Sequence, residues 1–243
     1  MKTELFTFVL NRPDLLPKQI ECFKKFFIGE YNLTAVCDYK DTTYLKEFRE
    51  ICKKYKITLH EHPQGDFGYY PSLYHGSCMT WAYQNFMPED GYGVFLDHDI
   101  FLIDEFNLEE HMKGFDVSGT LQERGDVKYI WPGLTMLDLA KVKDYKFNFL
   151  PCTIRGHMLD AGGGTYKLVE ELKYKPTFIE YPDTFEGIDL STVDEGYGFE
   201  LHLDQKFLHS RNAGRWDDNY NVDKTSKKTE VLNLMFDSFL QTT

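Results

Sequence analysis

The first 61 residues constrain the fold most, because short apolar runs alternate there with amphipathic segments. Three β-rich runs cover residues 4–10, 33–37 and 57–61. The two segments between them carry apolar residues at helical spacing. Strand, helix, strand, helix, strand is the pattern of right-handed βαβ crossovers, which build a parallel sheet. At 243 residues, the chain is long enough for one large α/β domain, and we expect a single domain over residues 1–243.

Two aspartates interrupt what otherwise looks like a buried strand. Asp97-His98-Asp99 lies between the apolar runs 93–96 and 100–103. A buried carboxylate costs free energy unless it is paired or binds a metal, and in an extended chain residues two apart face the same side. Asp97 and Asp99 could therefore reach one Mg²⁺ or Mn²⁺ ion, whose remaining positions are typically filled by water and phosphate oxygens. The implied substrate is a diphosphate, and a solvated turn is the alternative.

Composition limits the partners. The formal net charge of -12 should repel nucleic acid and anionic membrane surfaces. The five cysteines are odd in number and form no C-x-x-C pair, so neither a disulfide framework nor a zinc site is predicted. No signal-peptide core and no apolar run of about 18 residues is visible. We therefore expect a soluble, cytoplasmic protein without an integral membrane segment.

Polar residues follow the ends of several predicted strands. In open α/β sheets, ligands bind outside the carboxyl ends of the strands. Asn11, Arg12 and Asp38 lie at such ends, as Asp97 does. Residues 63–74 read as a loop, in which Tyr70 could stack on a base or sugar or simply cover the core. His75 and His98 could line the same cleft, although a helix cap and a packing role are the alternatives.

The second half of the chain breaks the simple alternation. Residues 160–166 form a glycine-rich loop that should enter a helix of about ten residues. A polar stretch over residues 217–229 leads to a final amphipathic helix. The other predicted elements are strands at 116–121, 128–131, 134–137 and 177–181 and an acidic loop at 186–199. The chain divides by this pattern into residues 1–104, residues 105–221 and a tail helix at residues 222–243.

Taken together, these motifs resemble nucleotide-sugar-dependent glycosyltransferases of the GT-A fold. The first match is the order of strands and helices that ends at a DxD motif, here residues 97–99. The second is Asp160-Ala161-Gly162-Gly163, a glycine loop after an acidic residue. The third is a histidine followed by glycine, a basic residue and tryptophan, here His209, Gly214, Arg215 and Trp216.

The resemblance implies a three-layer α/β/α sandwich with a mostly parallel sheet, the nucleotide-diphospho-sugar transferase fold. Within it, residues 1–104 would be the nucleotide-binding half and residues 105–221 the donor-sugar and acceptor half, followed by the tail helix at residues 222–243. It implies transfer of a sugar from a UDP- or GDP-sugar to a glycan or glycoconjugate, with Mn²⁺ or Mg²⁺ held by Asp97, Asp99 and His209. Arg211 or Arg215 would hold the diphosphate, within the segment that ends at Trp216. The donor sugar would approach Asp160, Gly162 and Gly163.

The residues leave several alternatives open. An inverting enzyme needs a carboxylate base, for which the candidates are Asp160, Asp189, Asp194 and Glu195. A retaining enzyme could use the donor phosphate instead, and the His209 segment favours retention. A sugar nucleotidyltransferase is less favoured, because residues 11–14 lack the glycines of its basic loop. A catalytically silent nucleotide-sugar or glycan-binding module is the third possibility.

Overall fold

The computed structural model describes residues 2–37, 44–63, 70–191, 193, 198–211 and 222–241, with the backbone alone for 222–226 and 241. The predicted alternation is present at the N-terminus. Its elements are β1 (Thr3–Val9), α1 (Leu15–Phe26), β2 (Phe27–Ile28), β3 (Tyr31–Cys37), α2 (Leu45–Tyr55) and β4 (Thr58–Glu61). Strand β1 pairs in parallel with β3, and β3 pairs in parallel with β4, which confirms the predicted crossovers.

The middle of the chain differs from the prediction, most clearly at the start of one helix and within one strand. Its elements are α3 (Pro71–Phe86), β5 (Tyr92–Asp97), β6 (Ile100–Leu102), β7 (Phe106–Asn107), α4 (Leu108–Met112), β8 (Val117–Arg124), β9 (Val127–Asp138) and α5 (Leu139–Val142). Helix α3 starts within the predicted loop, because proline fits the first turn of a helix, where its missing N–H costs nothing. Strand β9 runs through Pro132 and Gly133, where the sequence predicted a break between two strands.

The remaining elements are short up to the last helix. They are β10 (Cys152–Ile154), β11 (His157–Leu159), a 3-10 helix (Gly163–Thr165), α6 (Tyr166–Glu171), β12 (Tyr174–Thr177), β13 (Ile179–Glu180), β14 (Thr184–Phe185), β15 (Ile188–Asp189), β16 (Phe199–His202), β17 (Phe207–Ser210) and α7 (Val222–Gln241). The helix after the glycine loop is shorter than predicted. The predicted strand 177–181 is divided at Phe178, and α7 begins inside the predicted polar stretch.

The central sheet has seven strands in the order β12-β8-β9-β5-β1-β3-β4. Within it, β9 runs antiparallel to both of its neighbours, and the other pairs are parallel. Leu5 and Val9 of β1 pack with residues of α1 and α2, whereas Phe6 and Phe8 pack with α3. Helices therefore cover both faces, and the predicted α/β class with a mostly parallel central sheet is confirmed.

A second, antiparallel sheet has the order β13-β16-β17-β6. Helix α7 covers one face of it, where Phe101, Leu208 and Phe236 share an apolar cluster. Strands β5 and β6 thus belong to different sheets, so residues 98 and 99 form the turn between them rather than part of one continuous strand. Among the described residues, none of the helices is both long and apolar enough to cross a bilayer.

Candidate functional site

The Asp97-His98-Asp99 segment is a turn at the carboxyl end of β5. Gln19 of α1 is fully buried and holds the turn. Its side-chain Nε2 donates to the carbonyl oxygens of Asp97 at 2.9 Å and Ile100 at 2.7 Å. The expectation of an extended chain through the two aspartates is wrong, and a buried side chain that the sequence analysis did not single out fixes the shape of this turn.

Asp97 contacts a histidine of the neighbouring helix. The Nε2 atom of His75, on α3, lies 3.0 Å from Asp97 Oδ1. Burial alone raises the pKa of Asp97, but the charges of His75, His98 and His209 outweigh it, and the net shift of this pKa is downward. Asp97 is therefore held as a carboxylate. His98 points elsewhere, because its Nδ1 lies 3.2 Å from the carbonyl oxygen of Phe8, which agrees with the packing alternative.

Asp99 meets His209 because β17 pairs with β6. His209 stands opposite Ile100 in this antiparallel pair, and Ser210 N donates to Asp99 O at 2.9 Å. The Nε2 atom of His209 lies 3.8 Å from Asp99 Oδ1. Both side chains are nearly buried, with 11% and 10% of their surface exposed. The structure thus brings together two of the three residues that the resemblance names as metal ligands, and the charge of His209 also acts on Asp97, the third.

The other edge of the His209 ring faces a carboxylate that the sequence analysis did not select. His209 Nδ1 lies 2.8 Å from Glu200 Oε2, and Arg211 Nε lies 3.0 Å from Glu200 Oε1. His202 Nε2 is 3.4 Å from Glu200 Oε2. Burial raises the pKa of Glu200, but the hydrogen bond to His209 and the charges of His209 and His202 outweigh it and hold the pKa well below its usual range. Glu200 is therefore ionised and buried.

Two groups of side chains at this place could hold a metal ion. One is the set that the resemblance implies, Asp97, Asp99 and Nε2 of His209, in which Nε2 lies 3.8 Å from Asp99 Oδ1. The other is Glu200, His202 and His209, the group of described residues whose ligand atoms all lie within 4.8 Å of one another. In the second group, the 2.8 Å between Nδ1 and Oε2 is a hydrogen-bond distance, and Arg211 already pairs with the other carboxylate oxygen. The first group offers two carboxylates and an imidazole nitrogen, which suit Mn²⁺ or Mg²⁺ in the presence of phosphate oxygens.

A buried lysine adds positive charge to the same place. Lys228 of α7 is 3% exposed, and its Nζ donates to the carbonyl oxygen of Arg211. Burial, followed by repulsion from Arg12 and Arg211, lowers the pKa of Lys228 to about 7, although Asp99 and Glu200 act in the opposite direction. Lys228 is therefore within electrostatic range of both carboxylates and both arginines.

Three further predicted residues, Asn11, Arg12 and Tyr70, lie just after β1 or just before α3. Asn11 is buried directly after β1. Arg12 donates to both carboxylate oxygens of Asp14, at 2.8 and 2.7 Å, and its charge acts on Lys228. Tyr70 is 41% exposed and occupies the position before α3. The predicted site residues Asp38, Glu195, Arg215 and Trp216 lie outside the described residues, as does Asp194.

The glycine loop packs against β9, the strand whose Trp131 contacts the rings of His202 and His209. Gly162 has φ +88°, and a Cβ there would lie 2.3 Å from the carbonyl oxygen of Ile130. The adjacent Trp131 stacks on His202 with ring centroids 5.3 Å apart and lies 5.0 Å from the His209 ring. At Gly163, a Cβ would lie 2.7 Å from Leu159 Cβ. The backbone of this loop therefore approaches β9 closely, beside the carboxylate and histidine cluster.

Two candidate bases occupy different surroundings. Asp160 is exposed at the start of the glycine loop, where its Oδ1 accepts a hydrogen bond from Ala161 N at 2.9 Å. Asp189 is exposed in the β14–β15 hairpin, and its Oδ1 accepts from the N and Oγ of Ser191. Asp160 thus adjoins the strand that carries Trp131, whereas the hairpin of Asp189 lies against α7.

Comparison with protein-family models gives no match, and comparison with curated proteins gives none either. Among solved structures, the chain is similar to Staphylococcus aureus TarS 1-349 in complex with UDP, with 15% identity, 61% of this chain and 50% of that chain covered, and a TM-score of 0.43. It is also similar to the mannosyltransferase PcManGT from Pyrobaculum calidifontis in complex with GDP-Man and Mn²⁺, with 10% identity, 60% and 47% covered, and a TM-score of 0.45. The chain spans about half the length of these two proteins. Likeness at this level assigns no function.

Proposed function

We propose that this chain is a metal-dependent glycosyltransferase that moves a sugar from a nucleotide diphosphate sugar to a carbohydrate or glycoconjugate. The observation that carries the proposal is the meeting of Asp99 and His209. They are distant in the sequence, yet the pairing of β6 with β17 places His209 Nε2 3.8 Å from Asp99 Oδ1, two residues after Asp97. Two carboxylates and a histidine at the carboxyl end of a parallel strand suit Mn²⁺ or Mg²⁺, with Asp97, Asp99 and His209 as the ligands.

The charges around this group support a diphosphate as the ligand. Asp97 and Asp99 provide negative charge for a cation, while Lys228, Arg211 and Arg12 provide positive charge nearby. A metal-bound diphosphate carries both positive and negative charge, so a site that offers both kinds of charge is complementary to it. Arginine suits phosphate through its planar fork, and lysine through a single strong charge.

In this proposal, a bound metal supplies Lewis-acid stabilisation of the charge on the leaving nucleotide diphosphate. The protein's own residues bind and orient the donor. Lys228 and Arg211 offer further positive charge to the same oxygens, and Arg215 is a candidate for the same role. Asn11, Arg12, Asp38 and Tyr70 are the candidates for contact with the nucleoside, beside His75 and Trp216.

The donor sugar would lie against the backbone of Gly162 and Gly163, where the absence of side chains permits close approach. Asp160, Asp189 and Glu195 are the candidate bases for an inverting reaction. Asp160 is favoured among them by its place in the glycine loop. A retaining reaction would need none of them, and the third match in the sequence favours retention.

The test is calorimetric titration of Mn²⁺ and Mg²⁺, and then of UDP, GDP and their sugars, into wild type and Asp99→Asn. Asp104→Asn is the matched control, because Asp104 is an exposed carboxylate in the same segment that pairs with Lys206. We expect wild type and Asp104→Asn to bind one nucleotide in the presence of metal, and Asp99→Asn to lose the metal-dependent part.

Turnover separates the remaining alternatives. Release of nucleotide diphosphate in the presence of an acceptor glycan supports a glycosyltransferase. Release of pyrophosphate from a nucleoside triphosphate and a sugar phosphate would instead identify a nucleotidyltransferase. Tight metal-dependent binding without either reaction would identify a binding module. If wild type bound neither metal nor nucleotide, the whole proposal would be wrong.

A further inference from the structure

Glu200 is a buried carboxylate that neither the sequence motifs nor the proposed ligand set uses. Its side chain is only 8% exposed, and a buried charge of this kind is retained only with partners. Among the described residues it has three: His209 Nδ1 at 2.8 Å, Arg211 Nε at 3.0 Å and His202 Nε2 at 3.4 Å. Both carboxylate oxygens are therefore engaged, Oε1 by the arginine and Oε2 by the histidines.

The register of one hairpin builds this contact. Strands β16 and β17 are antiparallel, and Glu200 stands directly opposite His209. Directly opposed residues share a face of the sheet with their Cβ atoms about 5 Å apart. His209 also stands opposite Ile100 on its other side, which places the ring next to Asp99. The imidazole is thus held between two carboxylates, one at each nitrogen.

The chemistry of the two partners decides which ring nitrogen carries the proton. An ionised carboxylate only accepts hydrogen bonds, so Nδ1 of His209 must be the donor to Glu200. In a neutral imidazole, Nε2 then has the free lone pair, and Nε2 is the atom that faces Asp99 at 3.8 Å. Trp131 limits the rotation of the ring, because its centroid lies 5.0 Å from that of His209.

We propose that Glu200 is the positioning residue of the site: it fixes the tautomer and orientation of His209 so that Nε2 is ready to bind a divalent cation together with the aspartates. This inference rests on the proposed function. Glu200 itself stays outside the ligand set, and Arg211 and His202 hold its carboxylate in place. Carboxylates in this role typically change metal affinity by about 10- to 100-fold when they are removed.

The first test uses wild type without metal. Two-bond ¹H–¹⁵N correlation spectra of protein with ¹⁵N-labelled histidine, assigned with His209→Gln, report which nitrogen carries the proton. We expect the Nδ1–H tautomer for neutral His209. Observation of the Nε2–H tautomer would overturn the inference, and this measurement needs no variant that must fold.

The second test measures Mn²⁺ affinity in Glu200→Gln. The isosteric glutamine has one oxygen, which Arg211 requires as an acceptor, so the amide NH₂ would face Nδ1 and favour the Nε2–H tautomer. We expect a loss of Mn²⁺ affinity of about 10- to 100-fold together with a change of tautomer in the same spectra. His202→Gln is the control, for which we expect a smaller loss because His202 Nε2 lies 3.4 Å from Glu200 Oε2, whereas His209 Nδ1 and Arg211 Nε lie closer to the carboxylate, at 2.8 and 3.0 Å.

The outcomes separate the inference from the proposed function. If wild type binds Mn²⁺ and Glu200→Gln binds it equally well, the inference is wrong and the metal site stands. If His202→Gln abolishes binding as completely as Asp99→Asn does, Glu200 and His202 are themselves ligands, and the inference is also wrong. If wild type binds no metal, both fail, whatever the tautomer.

Discussion

Gln19 and Asp97 are joined by a hydrogen bond that links the first helix to the acidic turn. The amide Nε2 of Gln19 donates to the main-chain oxygen of Asp97 at 2.9 Å, and also to that of Ile100. The turn therefore depends on a side chain far away in the sequence. Its shape sets where the two carboxylates point, so Gln19 connects the packing of α1 with the geometry of the candidate site.

Replacement of Gln19 with leucine should damage both stability and metal binding. The variant leaves two main-chain carbonyl oxygens without their donor, which costs roughly 2 to 4 kcal/mol in the free energy of unfolding. We expect this loss in urea denaturation, together with weaker Mn²⁺ binding. Lys24→Leu, on the half-exposed side of the same helix, is the control and should change neither quantity much. Equal stabilities of the two variants would contradict the role given to Gln19.

Lys228 is expected to act on ligand affinity and not on folding. Lys228→Met removes an ammonium whose burial lowers its pKa to about 7, so the charged form of this side chain stabilises the fold little. The same change removes a charge-assisted contact to phosphate, worth about 10- to 100-fold in affinity. We predict a Tm at or above that of wild type and a correspondingly higher Kd for the nucleotide diphosphate.

Lys227→Met is the matched control for this prediction. Lys227 is the neighbouring residue, its side chain is 52% exposed, and its Nζ lies 3.7 Å from Glu230. The control should leave both Tm and nucleotide affinity unchanged. An unaltered nucleotide Kd in Lys228→Met would remove this lysine from the proposed diphosphate site.

Gly162 should be less tolerant of a side chain than another glycine with a similar backbone. Both Gly162 and Gly156 have positive φ, at +88° and +81°. A Cβ at Gly162 would lie 2.3 Å from Ile130 O, whereas nothing lies within 4 Å of a Cβ at Gly156. Gly156→Ala should cost about 1 kcal/mol for the left-handed conformation. Gly162→Ala should cost clearly more in urea denaturation, and equal costs would mean that the loop can move away from β9.

The fold of the first 61 residues could be predicted because the sequence signals for strands and helices are local. Alternating strands and helices in the first 61 residues can be recognised from spacing alone, and the acidic pair stands out within an apolar run. The pairing of β6 with β17 could not be predicted, because nothing near residues 99 or 209 specifies a partner so distant in the chain. The residues alone therefore gave no reason for a contact between Asp99 and His209. The resemblance implied one through a shared metal ion, and the structure supplies the strand pairing that builds it.

Two residues that the sequence analysis missed had a visible signal. Counting back from Val231 and Leu232 at helical spacing reaches Lys228, so a lysine stood on the apolar side of the last helix. Gln19 likewise interrupts the buried positions of α1, which include Leu15, Leu16 and Ile20. A polar residue at an apolar position of a helix was thus the clue in both cases. The signal for Glu200 was weaker. It lies between the apolar residues Phe199 and Leu201, in a strand that the sequence analysis did not predict.

The pH dependence of stability should show a contribution from His111. Its Nε2 lies 2.8 Å from Ser118 Oγ, and Lys175 donates to its carbonyl oxygen. Burial, and then the charge of Lys175, lower the pKa of His111 to about 4. In the unfolded chain the pKa of His111 is near 6.5. Between pH 6.5 and 4, the unfolded chain therefore binds a proton at this histidine and the folded protein does not. Stability therefore falls as the pH decreases through this window, and the effect is absent above it.

His111→Gln removes this titration while keeping a polar group near Ser118. Between pH 7 and 5, wild type should lose about 2 kcal/mol of unfolding free energy relative to the variant. The measurement is urea denaturation of both proteins at half-unit steps of pH. His157→Gln, at a side chain that is 42% exposed, is the control and should follow wild type. Parallel pH profiles of wild type and His111→Gln would show that the folded protein protonates His111 as readily as the unfolded chain does.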